Sequence, residues 1–319
     1  LTGGQGVGGS NPLVPTRKKK AGDQGLPLYF SPESKKRQKR RREITMTGKG
    51  KSVHPRIGQH FLIDMNIAEF MCQKAAIGPG DIVLEIGPGK GMLTRHLLKA
   101  GPRRLYAIEI DRRFSFELKP LESCNPHLEI IWSDALAVDY GRFFDCQPNK
   151  IVANIPYQIT TDLLWKLLEE AAPAGTGYFL MMVQKEAAER LSARPGSRRS
   201  NPLSITLARM GTVELLKTVS PEVFQPRPKI YSAIVQIHLN RSGFLKQEMW
   251  WRYFVERAYR QRRKTLFNNL VGGLHLEREM ILDWFEKLGI GRKQRAEELD
   301  TQAWNQLYKE WVKIRRAKP

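Results

Sequence analysis

Apolar residues between positions 52 and 240 fall into short continuous runs that alternate with longer segments of helical periodicity. Continuous runs of this length predict buried strands, and they lie at residues 82–86, 105–110, 128–132, 151–153 and 178–183. Helix-length segments occur at residues 67–75, 91–99, 112–121, 160–170 and 185–191. A closing pair of strands is predicted at residues 214–219 and 233–239. This alternation predicts an α/β fold with a doubly wound, Rossmann-like parallel sheet.

The strand pattern ends after Asn240, and the rest of the chain has helical periodicity only. The predicted helices lie at residues 247–259, 264–270, 278–288 and 301–314. We therefore expect a sheet domain at residues 52–240 and a small helical domain at residues 241–319.

Residues 1–51 form a basic leader that is rich in Gly, Pro and Ser and has no apolar periodicity, a composition that predicts disorder. As part of the native protein, it would be a basic arm with unspecific affinity for RNA. We favour another explanation, because the segment Gly9-Ser10-Asn11-Pro12 is what the T-arm of a transfer-RNA gene encodes when read as protein. On this hypothesis translation begins at Met46, and a native peptide that maps upstream of Met46 would refute it.

The chain carries 53 Lys and Arg against 32 Asp and Glu, a formal net charge of +21 in 319 residues. So basic a balance favours a polyanionic partner, with nucleic acid ahead of an anionic membrane. No apolar run approaches the roughly 20 residues that a membrane helix needs, so we expect no membrane association. The three cysteines are widely spaced and form no CxxC, which argues against a metal site and indicates a reducing, cytoplasmic location. We expect a monomer.

The first predicted strand ends in a glycine-rich turn, Glu85-Ile86-Gly87-Pro88-Gly89, and a helix follows. Glycine lets the backbone turn tightly and approach a ligand closely. A nicotinamide-cofactor fingerprint would have a third glycine where this chain has Met92, and it has no acidic residue at the position of Glu85. The segment instead resembles the first motif of S-adenosylmethionine-dependent methyltransferases. An acidic, glycine-lined pocket suits the cationic end and the sulfonium of that cofactor, so Glu85, Gly87 and Gly89 are candidate cofactor-binding residues.

Acidic residues also follow the next two strands. Glu109 lies 22 residues after Gly87, close to the spacing of a carboxylate that binds ribose hydroxyls. Asp134 can accept a hydrogen bond from the adenine amine of the cofactor, with Ala135 beside it, although a role in the turn alone is an equal alternative. Asp111 is expected to cap the next helix. Because ligands bind at the carboxyl edge of such sheets, acidic residues at three successive strand ends predict a cofactor site.

The fourth strand is followed by Asn154-Ile155-Pro156-Tyr157, which predicts the catalytic site. An adenine amine is a poor nucleophile because its lone pair is delocalised into the ring. The side-chain oxygen of Asn154 and a backbone carbonyl such as that of Pro156 can accept its hydrogens and aim the lone pair at a methyl group. Tyr157 offers a flat face on which an extruded base can stack. The alternative is a turn with an aromatic anchor, and Asn154 is also a candidate cofactor contact.

Together these motifs resemble the bacterial small-subunit (16S) ribosomal RNA adenine N6,N6-dimethyltransferases, which place two methyl groups on each of two adjacent adenines near the 3′ end of the RNA. The resemblance runs from about Gly58 to Asn269, and further matching segments lie at residues 184–186, 224–229 and 261–266. It implies that Gln59, His60 and Leu62 contact the cofactor. It also implies that Phe224 faces Tyr157 across the target adenine, with core packing as the alternative. S-adenosylmethionine is the implied cofactor, and the small-subunit RNA of a maturing pre-30S particle is the implied partner.

Basic residues supply the predicted RNA surface, where phosphate contacts position the RNA but carry little sequence information. The candidates are Arg227, Lys229, Arg262, Arg263 and Lys264. Trp250 and Trp251 are expected to be core and interface residues of the helical domain and not platforms for base stacking. The chain departs from the family pattern at His60, where many members have Asn, at residues 200–204, and at Tyr231, where Asp is usual. These departures lie in segments expected to meet RNA, so they affect substrate detail.

Two other functions fit parts of the pattern. The related large-subunit methyltransferases that confer macrolide resistance share the cofactor and the Asn-x-Pro-Tyr-type motif, but the segment at residues 261–266 favours the small-subunit enzymes. A non-catalytic RNA-binding assembly or transcription factor on the same fold could dispense with the acidic residues, Asn154 and Tyr157, all of which are present. A dehydrogenase is disfavoured by Met92 and by the basic surface.

Overall fold

A seven-stranded sheet forms the centre of the computed structural model, which describes residues 60–240 and 250–317. Its strands are β2 (Ile82–Ile86), β3 (Arg104–Glu109), β4 (Leu128–Trp132), β5 (Lys150–Asn154), β6 (Tyr178–Gln184), β7 (Gly211–Val219) and β9 (Ser232–Leu239). Strands β1 (Phe61–Leu62) and β8 (Phe224–Gln225) form a separate two-stranded sheet. The leader at residues 1–51, Met46 and Gln59 lie outside the described residues.

The strand order is β4-β3-β2-β5-β6-β9-β7, which confirms the predicted doubly wound α/β sheet. Strands β2 to β6 pair in parallel, and β9 runs antiparallel to both of its neighbours. The chain winds outward in both directions from β2 and β5, so these two strands flank the switch point of the sheet. Ligands bind such sheets in the crevice outside the carboxyl ends at this point.

Helices cover both faces of the sheet, which explains why the parallel strands are continuous apolar runs. The helices are α1 (Met65–Ala75), α2 (Met92–Lys99), α3 (Ser115–Cys124), α4 (Thr160–Lys166), α5 (Lys185–Leu191), α6 (Pro202–Met210), α7 (Trp251–Ala258), α8 (Leu266–Leu274), α9 (Arg278–Leu288) and α10 (Thr301–Ala317). Apolar residues of α1, α2 and α3 form one buried cluster with one face of the sheet. Those of α4, α5 and α6 share a second cluster with the other face.

Two features were missed in the sequence. Helix α6 begins where residues 200–204 depart from the family pattern, and Asn201 caps it by accepting hydrogen bonds from Leu203 N and Ser204 N, both at 3.1 Å. Proline at the first helical position, Pro202, is a recognised start signal. The other feature is the short antiparallel pairing of β1 with β8, which joins segments more than 160 residues apart.

The helices after Asn240 extend the second apolar cluster. Trp251 is fully buried, as expected, and its indole nitrogen donates to Thr206 Oγ1 at 2.8 Å. Trp250, which precedes α7, is 43% exposed and is therefore not a core residue; the guanidinium of Arg315 lies 3.7 Å from its ring centre. The core is continuous between the sheet and these helices, and the division into two domains at Asn240 stays a prediction.

Candidate active site

The predicted site residues converge on the carboxyl edge of the sheet at the switch point. Strand β2 leads into the glycine turn, β3 ends at Glu109, and β5 ends at Asn154. Gly87 N donates to Ile108 O at 2.9 Å, which ties the turn to the end of β3. The arrangement brings the cofactor candidates and the catalytic candidates to one crevice, as three neighbouring parallel strand ends require.

The glycine turn depends on left-handed backbone at Gly89, where φ is +54°. A Cβ atom at this position would lie 2.9 Å from Cδ1 of Phe61 in β1, closer than carbon atoms approach without displacement. The amide of Gly89 donates to Oε2 of Glu109 at 3.0 Å. Glycine is therefore required here for conformation and for space, and the turn orients its amide towards an acidic side chain.

Two buried carboxyl groups lie beside this turn, Glu85 at 1% and Glu109 at 4% exposure. Glu109 accepts from the amides of Gly89 and Asp111, at 3.0 and 2.8 Å, and these bonds oppose the effect of burial, which raises its pKa. Glu85 has weaker support, because its Oε2 has no hydrogen-bond partner among the described residues and only the Thr94 hydroxyl is seen to favour its ionised form. Burial raises the pKa of Glu85 to about 8; the Thr94 hydroxyl opposes this shift and the charge of Glu109 adds to it. The pocket is thus acidic and buried, and one of its carboxyl oxygens has no hydrogen-bond partner among the described residues.

The acidic residues farther along the edge make turn contacts. Asp134 is exposed and its Oδ1 accepts from Leu136 N at 2.8 Å, which is the turn role that the sequence left open. Ala135 is buried. Asp111 caps the turn after β3, as predicted, by accepting from Arg113 N at 3.0 Å, and it pairs with the Arg113 guanidinium. A contact of Asp134 with the cofactor stays a prediction, as does that of Ala135.

The catalytic motif is held by contacts with the segment around β1. The side-chain amide of Asn154 donates to the carbonyl of His60 at 3.2 Å, which fixes the nitrogen and leaves Oδ1 as an acceptor. The carbonyl of Pro156 already accepts from Ile159 N at 3.2 Å. Of the two acceptors predicted for the substrate amine, Asn154 Oδ1 is therefore the less engaged.

Tyr157 is half-buried and anchored at its hydroxyl, which lies 2.7 Å from Oγ of Ser232. Burial raises the pKa of Tyr157, and the hydrogen bond with Ser232 opposes that shift. The imidazole of His60 lies 5.8 Å from the Tyr157 ring, centre to centre, at an interplanar angle of 32°. Its Nδ1 is 2.7 Å from the carbonyl of Pro226. The structure thus places His60, a predicted cofactor contact, beside the predicted base-stacking residue.

The side chains of Phe224 and Leu62, two predicted site residues, are buried in the apolar core. Phe224 and Leu62 are register partners in the β8–β1 pairing, and they are 4% and 7% exposed within the apolar cluster under α1. Core packing, the alternative for Phe224, agrees with this placement, and the described residues show no ring contact between Phe224 and Tyr157. Leu62 can reach a cofactor only through its backbone in this arrangement.

The predicted RNA-binding residues differ in how far other contacts engage them. Arg262 donates to Glu297 Oε2 at 2.9 Å and to the carbonyl of Arg198 at 2.7 Å, so it holds two segments together. Arg227 pairs with Glu222 at 2.8 Å. Lys229 is exposed, as are Arg263 and Lys264 in the turn between α7 and α8.

Sequence reasoning missed one anchor of this site and one exposed apolar residue beside it. Ser232 anchors Tyr157 across 75 residues, a pairing that no local pattern reveals. Ile110 is 47% exposed although it directly follows the buried Glu109. Large aliphatic side chains are usually buried. An isoleucine between two acidic residues at a predicted strand end could therefore have been noted in the sequence as a candidate apolar contact for a ligand.

Comparison with known proteins decides the family. The sequence profile of the ribosomal RNA adenine dimethylases matches residues 50–313. This chain belongs to that family. The ribosomal RNA small subunit methyltransferase A of Halothermothrix orenii is 38% identical over 258 residues, which cover 77% of this chain and 84% of that protein. Its counterpart in Rubrobacter xylanophilus is 37% identical over 266 residues, covering 83% and 97%.

Solved structures of dimethylases and related enzymes have the same fold. A dimethyladenosine transferase from Plasmodium falciparum superimposes with a TM-score of 0.69 at 27% identity, covering 80% of this chain and 98% of that one. The 23S rRNA methyltransferase ErmE gives 0.60 at 25% identity, covering 78% and 98%. The predicted family and its reaction class, adenine dimethylation of ribosomal RNA, are thereby confirmed.

Two kinds of feature are absent from the described part of the chain. Within residues 60–240 and 250–317, no helix is both long enough and apolar enough to cross a bilayer. The same residues contain no group of three or more His, Cys, Asp or Glu side chains arranged to hold a metal ion.

Proposed function

We propose that this dimethylase uses S-adenosylmethionine to methylate the N6 amines of two adjacent adenines near the 3′ end of small-subunit ribosomal RNA, during maturation of that subunit. The relatives from Halothermothrix and Rubrobacter, named as small-subunit methyltransferases, support this substrate. The observation that carries the chemistry is the orientation of Asn154, whose amide nitrogen is held by the His60 carbonyl.

The residues at the switch point fit the proposed cofactor. Glu85 contributes a buried carboxyl oxygen without a partner among the described residues, which suits a cationic ligand. Gly89 provides space that a Cβ atom would fill. Glu109 would bind ribose hydroxyls, with Asp134 and its neighbour Ala135 at the adenine. When bound, S-adenosylmethionine supplies a methyl group on a cationic sulfonium.

Asn154 and Tyr157 then have separate tasks in activating the adenine. Asn154 Oδ1 accepts a hydrogen bond from the N6 amine, which localises the nitrogen lone pair and aims it along the line of methyl transfer. Tyr157, held by Ser232, supports the face of the extruded base. No described side chain need remove a proton before the transfer, because the amine becomes acidic only as it acquires the methyl group.

Exposed cations of the helical segment would position the RNA. Arg263 and Lys264 lie between α7 and α8. Lys229 lies on the loop before β9, whose first residue, Ser232, hydrogen-bonds the Tyr157 hydroxyl. Each phosphate contact adds affinity that falls with salt. We further propose that the protein acts as a monomer on the pre-30S particle in the cytoplasm, which sedimentation of the protein alone and with unmethylated small subunits would test.

The decisive experiment measures methyl transfer from labelled S-adenosylmethionine to unmethylated small ribosomal subunits. We expect dimethyladenine in the small-subunit RNA with the full chain, and a loss on the order of 100-fold or more with Asn154→Ala. Asn268→Ala, at an exposed position of α8, is the matched control and should retain activity. Transfer only to large-subunit RNA would assign the chain to the ErmE-like activity. Tight subunit binding without transfer would support an assembly factor.

A further inference from the structure

Glu85 and Glu109 lie on the same face of two neighbouring strands. Glu85 is the register partner of Ala107, and Glu109 follows two residues later, so both side chains point to the side covered by α1 and α2. Both are almost fully buried. Two carboxyl groups in one buried space cannot both ionise without a large cost, unless cations or donors stabilise them.

The donors in this space are unequally shared. Glu109 accepts from two backbone amides, whereas Glu85 Oε2 accepts from none among the described residues. Hydrogen bonds from N–H groups favour the ionised form of an acid. Of the two groups, Glu109 is therefore the one built to carry the negative charge, and Glu85 is the one built to keep a proton.

The other groups that face Glu85 do not change this assignment. Cys72 of α1 feels the charge of Glu85, and burial raises the pKa of its thiol to about 12, so it stays protonated. From α2, the neutral hydroxyl of Thr94 favours the ionised form of Glu85, but burial outweighs it. Strand β5 contributes apolar side chains, with Asn154 at its end. No cation of the described residues acts on Glu85.

We propose that Glu85 is protonated in the ligand-free protein and releases that proton to solvent when the cationic cofactor binds beside it. The inference rests on the proposed function, since it takes the cation to be S-adenosylmethionine. The proton leaves the carboxyl oxygen, the carboxylate pairs with the cation, and the net charge of the pocket is conserved.

This coupling makes cofactor affinity depend on pH in a defined direction. Burial raises the pKa of Glu85 to about 8 in the free protein, whereas a neighbouring cation lowers it in the complex. Between these two values, affinity rises about tenfold per pH unit, because each binding event must displace one proton. Above about pH 8 the group is already ionised, so its contribution levels off.

Isothermal titration of the full chain with S-adenosylmethionine, in buffers of different ionisation enthalpy, counts the protons released. At about pH 7 we expect about 0.9 protons per cofactor, and about 0.1 at about pH 9. Glu85→Gln, a neutral replacement of similar shape, should abolish the release. Cys72→Ala removes the thiol of α1 that lies near Glu85 and should leave the release unchanged.

A neutral probe separates the effect of the cation from the effect of filling the pocket. Methylthioadenosine lacks the charged amino-acid end and the sulfonium, so its binding should release no proton. Equal release with this probe would overturn the proposal, and so would undiminished release in Glu85→Gln or a wild-type affinity that does not change between about pH 6 and pH 8. Failure of S-adenosylmethionine to bind at all would instead contradict the proposed function.

Discussion

Replacing Gly89 by alanine tests whether the glycine turn builds the cofactor pocket, and its cost can be worked from the structure. An L-residue at a φ of +54° pays about 1–2 kcal/mol for left-handed backbone. The new methyl group would also lie 2.9 Å from the Phe61 ring, which packs edge-on against Phe114 at 5.1 Å. Moving that ring from its rotamer costs about 0.5–1.5 kcal/mol more. We expect a total of about 1.5–3.5 kcal/mol from strain and displacement together.

Two other glycines separate these contributions. Gly101 has a φ of +70°, but open space surrounds the position that a methyl group would take, so Gly101→Ala should cost only the backbone strain of about 1–2 kcal/mol. Gly80 has open space and no left-handed backbone, so Gly80→Ala should change stability by less than about 0.5 kcal/mol. Both glycines lie outside the predicted cofactor pocket and should leave cofactor affinity unchanged.

The assay pairs urea denaturation, for the free energy of unfolding, with titration calorimetry of S-adenosylmethionine. Gly89→Ala should lower cofactor affinity by about tenfold or more, equivalent to about 1.4 kcal/mol, because displacement at Gly89 disturbs the amide that orients Glu109. Unchanged affinity in this variant would refute the role of the turn. Weakened affinity in Gly101→Ala would show that strain anywhere in the sheet has the same effect.

Three further predictions concern Tyr157, the half-buried ion pair of Asp81 with Lys150, and the predicted RNA surface. Tyr157→Phe removes the 2.7 Å hydrogen bond to a buried serine, so it should cost about 1–2 kcal/mol in urea denaturation while methyl transfer largely persists on the retained ring. Burial opposes ionisation of Asp81, but hydrogen bonds from Asn149 and Lys150 prevail and hold its pKa below the ordinary value. Ionised Asp81 therefore contributes to the free energy of unfolding at pH values above its unfolded pKa of about 3.9, and this contribution is lost as pH falls through the folded pKa. Asp81→Asn should make the free energy of unfolding less dependent on pH in this acid range. Arg263→Ala should reduce the salt dependence of RNA binding by about one phosphate contact without changing cofactor affinity.

The sheet could be predicted from sequence because strands that are buried on both faces are continuous apolar runs. Predicted residues 82–86 and 128–132 coincide with β2 and β4, and residues 278–288 coincide with α9. Helix α6 was missed because its start lies in a polar segment judged only as a departure from the family pattern. The Asn201-Pro202 pair, a capping residue followed by proline, would have located it.

The site could be predicted where function follows from strand ends, and not where it depends on distant pairing. Three strand ends identified Glu85, Glu109 and Asn154 because parallel strands bring their carboxyl ends to one edge. The burial of Phe224 follows from its register with β1, and the position of His60 beside Tyr157 follows from a bond to the loop that precedes β9. Neither contact has a counterpart in local periodicity, and the roles expected of both residues came from the family resemblance and stay predictions.

The sequence likewise does not reveal whether Glu85 or Glu109 keeps a proton, because that depends on which carboxyl group the backbone amides point towards. Gly89 and Asp111 direct theirs at Glu109. A pair of interacting acids titrates as a unit, so the reciprocal variants must be compared. Glu109→Gln leaves Glu85 buried with the Thr94 hydroxyl as its donor, and cofactor binding should still release a proton, although affinity falls. Glu85→Gln leaves Glu109 with both amides and should release none. Proton counts by calorimetry that are equal in the two variants would assign the proton to the pair as a whole and contradict the role of the amides.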